Sequence, residues 1–140
     1  RQEALLEVYR ASGLDSLVAG PAPVASFMAA EILHGPAAAG LLLRDFGYAE
    51  PSVLEAIAWH TVGHSDMGLL AILVYCADKL EPGRRHVDPD FRDACLGLEP
   101  RAMLLAVVED SLAWLRHKGW EIAPETFLLY NALRKPVQTR

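Results

Sequence analysis

Apolar positions recur along this chain at helical spacing, and nowhere do they alternate in the two-residue rhythm of a strand. Leu5, Leu6 and Tyr9 mark one face of a helix over Gln2 to Arg10, with Gly13 placed to end it. Gly20-Pro21-Ala22-Pro23 reads as a loop, and an apolar run follows from Val24 to Leu33. Gly35-Pro36 is expected to break or restart the helix, which continues from Ala37 to Phe46 and stops at Gly47. Ser52 and Glu55 suggest a capping box for a helix from Val53 to about Thr61, closed by Gly63. The stretch from Met67 to Ala77 is apolar on almost every face, which predicts a helix at the centre of the domain. Asp88-Pro89 and Glu99-Pro100 are N-cap and first-turn pairs that start later helices. The second of these runs from Pro100 to His117 and ends on Arg116, His117 and Lys118 before Gly119, as the helix dipole favours. Pro124 opens a last helix that fades near Arg134. The pattern predicts an all-α, non-coiled bundle in a single domain over residues 1–140.

Composition narrows the functional classes. The chain has 140 residues, 52 % of them hydrophobic and 22 % charged, enough for one domain with a real core. Its formal net charge is −5 and no Lys/Arg-rich block is present, which argues against duplex nucleic acid or an anionic membrane as partner. Cys76 and Cys95 lack C-x-x-C spacing and sit in apolar helical stretches, so they read as reduced, buried thiols of a cytoplasmic protein. No apolar run approaches the ~18 residues of a membrane span, because Arg44, Asp45 and Asp78 interrupt the longest ones. Arg1 is not an initiator methionine, which suggests a start after processing or downstream of the natural one.

Three side chains occupy positions awkward for a purely structural role. His34 lies at the Leu33-His34-Gly35-Pro36 junction, His60 precedes Thr61-Val62-Gly63, and Asp78 ends the most apolar helix. A carboxylate there is costly to bury unless it meets a cation or a full set of hydrogen bonds. Two imidazoles and a carboxylate suit Zn, Mn or Fe. Structural alternatives stand beside each. His34 and His60 could bond backbone carbonyls, and Asp78 could pair with Lys79, Arg84 or Arg85. His86 and His117 read as solvent-facing. Arg84 and Arg85 follow a Pro-Gly turn that could swing guanidinium groups towards phosphate, or form a solvated loop. Thr61, Gly63 and His64 could likewise donate to phosphate or only end a helix.

Several runs together resemble a known family. His60-Thr61-Val62-Gly63, then Met67, Leu70, Tyr75 and Ala77-Asp78-Lys79-Leu80-Glu81-Pro82-Gly83-Arg84 resemble the second half of YqeK-type HD-domain proteins. Leu33-His34-Gly35-Pro36 with Ala39, and Pro124, Thr126, Tyr130 and Asn131, resemble that family's flanking elements. The resemblance implies an HD-domain-like helical bundle and a divalent metal centre, usually dinuclear iron, with Mn or Zn as other candidates. It implies symmetrical hydrolysis of diadenosine tetraphosphate, or a related dinucleoside polyphosphate, to two ADP by a metal-activated water. Carried over by position, His34, His60 and Asp78 look like metal ligands, with Asp78 the catalytic carboxylate. Thr61, Gly63, His64 and Arg84 look like substrate contacts. A homodimer is compatible with this reading.

The sequence departs from the family in one main respect. No histidine precedes His34 and no His-Asp dipeptide occurs, so the N-terminal helices carrying those family ligands are expected to be missing. Ala58 also stands where the family often has arginine. The alternative expectation is a catalytically impaired nucleotide- or metal-binding module of the same fold. On the enzyme reading, His34, His60 and Asp78 should converge in space, and loss of Asp78 should harm metal binding more than folding.

Overall fold

The computed structural model describes residues 2–18 and 30–135. Among these the chain is all-helical, with helices α1 (Gln2–Ala11), α2 (Ala30–Phe46), α3 (Pro51–Trp59), α4 (Leu69–Leu80), α5 (Pro89–Leu96), α6 (Pro100–His117) and α7 (Pro124–Arg134). A single 3-10 turn, Leu14–Ser16, follows α1. The expected loop at Gly20-Pro21-Ala22-Pro23 and the start of the apolar run from Val24 lie outside the described residues.

Successive helices pack on one another from α1 through α4, and α6 then closes over α4 and receives both α5 and α7. Leu54, Tyr75, Leu104, Val107, Val108, Leu112 and Leu129 form the centre of the core, each nearly inaccessible to water. The termini of the helices follow their sequence signals in most places. Gly13, Gly47, Gly63 and Gly119 all take positive φ, the left-handed turn expected after a helix. The Asp88 carboxylate accepts from the Asp90 and Phe91 amides, and that of Glu99 accepts from Arg101 and Ala102.

Three expectations are corrected. Helix α2 runs through Gly35-Pro36 without interruption. Pro36 has no N–H to give the Ile32 carbonyl, yet its ring is tolerated, and the glycine beside it serves close packing rather than termination. The Ser52/Glu55 capping box does not form. Pro51 starts α3 two residues earlier behind Glu50, the Ser52 hydroxyl donates to Glu50, and Glu55 faces the next loop. Helix α4 is buried on one face only, through Ala71, Tyr75, Cys76 and Leu80. Leu69, Leu70, Leu73 and Val74 remain exposed on its other side.

Candidate metal and phosphate site

The site's geometry starts at Gly35. A Cβ there would lie 2.8 Å from the carbonyl oxygens of both Ile57 and Ala58, so glycine allows α2 to cross the last turn of α3 this closely. The crossing brings His34 against His60, the residue that ends α3. Their Nε2 atoms are 2.9 Å apart and the rings meet edge to face at a centroid distance of 4.8 Å. Each ring is held from behind. His34 Nδ1 donates to the Glu31 carbonyl at 2.5 Å, and His60 Nδ1 to the Ile57 carbonyl at 2.7 Å. A carbonyl only accepts, so both hydrogens sit on Nδ1 and both neutral rings present a bare Nε2 lone pair. Two such lone pairs repel at this distance unless a proton or a metal cation lies between them.

This arrangement fits a metal in part. Anchoring Nδ1–H on a carbonyl is the usual way an imidazole ligand is oriented. With metal–nitrogen bonds of about 2.0–2.1 Å, nitrogens 2.9 Å apart subtend roughly a right angle at the cation. That suits neighbouring corners of a six-coordinate site better than the wider tetrahedral angle of zinc. Among the described residues, however, no group of three His, Cys, Asp or Glu side chains is placed to hold a metal.

Asp78 lines the same cavity as the two histidines, but its carboxylate is already engaged. Lys79 Nζ donates to Oδ2 at 2.8 Å and Arg84 Nη2 to Oδ1 at 2.9 Å. Burial works to raise the Asp78 carboxyl, and the ammonium and guanidinium outweigh it, so its pKa lies below the usual value. Lys79 also donates to the His60 carbonyl at 3.1 Å and sits 4.7 Å over the Tyr75 ring. Its pKa is lowered chiefly by burial, against the pull of Asp78. Arg84 Nε donates to the Asp78 backbone carbonyl at 3.1 Å. Of the partners expected for Asp78, then, Lys79 and Arg84 are used, and Arg85 makes no such contact.

The cavity these groups line measures about 620 Å³, within the usual range for a small-molecule site. Thr61 lines it; Gly63 and His64 do not. His64 is buried at 3 % exposure. Its Nε2–H donates to Glu55 at 3.0 Å while Nδ1 accepts from the Asp66 amide at 3.2 Å, the pattern of a neutral ring. The other Glu55 oxygen accepts from the Gly68 amide. Gly63 backs onto the core, where a Cβ would meet Leu129 at 2.6 Å. Nearby, the buried Thr126 hydroxyl donates to the Val62 carbonyl. Gly63 and His64 thus shape the loop that follows His60.

Among the lining residues that carried no sequence expectation of a site are His86, Trp114 and Trp120. His86 is exposed, as expected, but it stacks on Trp114. The available signal was the pair of tryptophans flanking the helix end at Gly119.

The described residues thus form an all-helical protein in which one cavity is lined by paired imidazoles, a lysine and an arginine. No protein-family model matches the chain. Among curated proteins, the symmetrical bis(5'-nucleosyl)-tetraphosphatase of Bacillus subtilis is 32 % identical over 103 residues, 74 % of this chain and 55 % of that protein. Its counterpart in Halalkalibacterium halodurans is 28 % identical over 107 residues, 76 % of this chain and 57 % of that protein. That of Staphylococcus aureus is 43 % identical over 54 residues, 39 % of this chain and 28 % of that protein. The chain is a homologue of the symmetrical bis(5'-nucleosyl)-tetraphosphatases, the YqeK-type family that its motifs resemble. It spans about half the length of the first two of these relatives. No helix among the described residues is long and apolar enough to cross a membrane.

Proposed function

We propose that this chain supplies part of the metal and phosphate centre of a hydrolase that cleaves diadenosine tetraphosphate symmetrically, adding one water to give two ADP. The observation that carries this reading is the His34–His60 pair, aligned Nε2 to Nε2 with both Nδ1 atoms anchored, in the cavity that also holds Lys79 and Arg84. On this reading His34 and His60 hold a divalent cation, iron or manganese, with Asp78 beside them. Such a cation would stabilise charge on phosphoryl oxygens and acidify water near neutral pH. Lys79 and Arg84 offset the charge of the polyphosphate, and Arg84 orients it through a guanidinium fixed on Asp78. Thr61 contributes a hydroxyl to the same wall. Residues 1–140 are read as a single unit of the HD type.

The test is to supply Fe(II) or Mn(II) and measure ADP formed from diadenosine tetraphosphate. Metal-dependent production of ADP alone supports the proposal. Production of AMP and ATP would reverse the assignment of symmetrical cleavage. A second reading, a nucleotide- or metal-binding module without turnover, is favoured by the lack of a three-ligand group among the described residues. Metal-dependent nucleotide binding with no ADP formed would establish it instead.

A further inference from the structure

The cavity has two chemically different groups of lining residues. One is His34, His60, Lys79 and Arg84, and the other is His86, Trp114 and Trp120. The second group is an aromatic corner. His86 stacks on Trp114 with ring centroids 4.2 Å apart and planes inclined by 24°. Trp120 stands almost perpendicular to Trp114, at 84° and a centroid distance of 5.0 Å. The corner is held by backbone, not by a loose loop. Gly119, with φ +67°, donates its amide to the Arg116 carbonyl, and the Trp120 amide donates to the Leu115 carbonyl at 3.0 Å. This is the paired bonding of a Schellman motif, which fixes the direction in which Trp120 leaves α6. Yet 57 % of Trp120 is exposed, so core packing does not account for its position. The Trp114 wall already accepts one planar heteroaromatic ring, that of His86, at stacking distance.

We infer that this corner is a nucleobase subsite, in which an adenine ring stacks on Trp120 while its phosphates extend to Lys79 and Arg84. The inference rests on the phosphate reading of Lys79 and Arg84 given above. A nucleotide is flat and apolar at one end and anionic at the other, and the cavity presents both kinds of wall. Asp110 and Glu121, the latter next to Trp120 in the chain, line the same cavity, and their carboxylates would accept hydrogen bonds from an exocyclic amino group, as adenine offers and uracil does not. Stacking on an exposed indole is sequence-tolerant in general, so these two carboxylates carry the base preference. The subsite would place one ADP moiety of a dinucleotide relative to the metal end.

The test uses the wild-type protein, Trp120→Ala and Trp120→Phe, with binding followed by calorimetry and tryptophan fluorescence. Three probes separate the two groups of residues: ADP, tripolyphosphate without a base, and adenosine without phosphate. ADP should quench wild-type fluorescence, and Trp120→Ala should weaken ADP at least about ten-fold while leaving tripolyphosphate unchanged. Trp120→Phe should recover most of the loss, which a merely structural role for Trp120 would not predict. If ADP binds all three proteins equally, the nucleobase subsite is wrong even though the phosphate reading stands. If adenosine binds with dependence on Trp120 while tripolyphosphate does not bind, the subsite stands and the phosphate reading fails. If none of the three probes binds the folded wild-type protein, both are overturned.

Discussion

His34 and His60 face each other through Nε2 at 2.9 Å because each has its Nδ1 hydrogen committed to a carbonyl of its own helix. The structural and ligand readings of these histidines, which look like alternatives in the sequence, occupy opposite ends of the same ring. The carbonyl contact sets the tautomer, and the tautomer exposes the nitrogen that a cation needs.

Because a cation would be shared by the two rings, their loss should not be additive. His34→Ala and His60→Ala should each lower Mn(II) affinity by at least about ten-fold, and the double variant should be little worse than either. Titration calorimetry or the Mn(II) resonance signal reports this. Small, additive losses would mean that the rings do not bind one metal together.

Gly35 sets the spacing between the helices that carry the pair. Gly35→Ala places a methyl group against two carbonyl oxygens at 2.8 Å, and should cost about 1–3 kcal/mol in urea unfolding together with Mn(II) affinity. Gly40→Ala provides the comparison. Its added methyl meets Ser12 Oγ, also at 2.8 Å, but on the α1 side. That variant should lose stability and keep metal affinity; equal loss of affinity in both would remove Gly35's special role.

Asp78 alters the expectation that its loss would mainly affect metal binding. Its carboxylate is the counter-charge of Lys79 and Arg84, so Asp78→Asn should cost roughly 1–3 kcal/mol of stability at neutral pH. The pH dependence has a definite sign. The folded-state pKa is depressed from 3.8, so the contribution is present above that value and is lost as pH falls through the lower, folded one. Urea midpoints of wild type and variant should therefore converge in strong acid. A constant gap would exclude the ion pair as its source.

At the alkaline end a buried thiol and a buried phenol act in the same direction. Burial, and then the neighbouring Cys95, push the Cys76 pKa from 9.0 up to about 12, with Lys79 opposing. Burial raises the Tyr75 hydroxyl as well. A raised folded-state pKa gives stability that is complete below the unfolded value and lost as pH rises through the folded one. Unfolding midpoints should hold steady to about pH 9 and then fall, less steeply in Cys76→Ala. In the native state Cys76 should resist iodoacetamide at neutral pH, as mass spectrometry would show, whereas rapid labelling would contradict its burial.

The sequence made the helices legible wherever a local chemical signal sets a boundary. Asp88, Glu99, Gly47 and Gly119 each act through bonds or torsions within a few residues, and the Pro100–His117 helix was read with the observed ends. It misled where a tertiary contact competed with the local signal. Gly35-Pro36 looks like a helix break because the need for glycine comes from α3, more than twenty residues away. Glu55 looks like a capping residue because its partner, His64, lies in a loop whose path depends on Gly63. At the site, the histidines, Asp78 and Arg84 were legible as residue types in a motif. That Lys79 would bind both Asp78 and the His60 carbonyl, or that His86 would stack across the cavity on Trp114, depends on how α4 packs against α6. No spacing rule in the sequence encodes that.

Arg84 offers the sharpest check on the phosphate end. Its Nε and Nη2 are directed to Asp78, which leaves Nη1 uncommitted among the described residues and fixes the plane in which it can donate. A guanidinium held this way grips phosphoryl oxygen directionally, whereas an ammonium acts as a point charge. Arg84→Lys should therefore keep much of the attraction to Asp78 but weaken tripolyphosphate binding by about ten-fold, the loss of one charge-assisted hydrogen bond. Arg84→Ala should weaken it further and lower the urea midpoint as well, because Asp78 then retains only Lys79. Raising the salt concentration should reduce tripolyphosphate affinity more in wild type than in Arg84→Ala, since one fewer exposed charge is left to screen. Wild-type affinity for tripolyphosphate in Arg84→Lys would mean that charge alone, without orientation, holds phosphate in this cavity. Unchanged binding in Arg84→Ala would place the phosphate elsewhere, and Arg84 would then be a structural partner of Asp78 only.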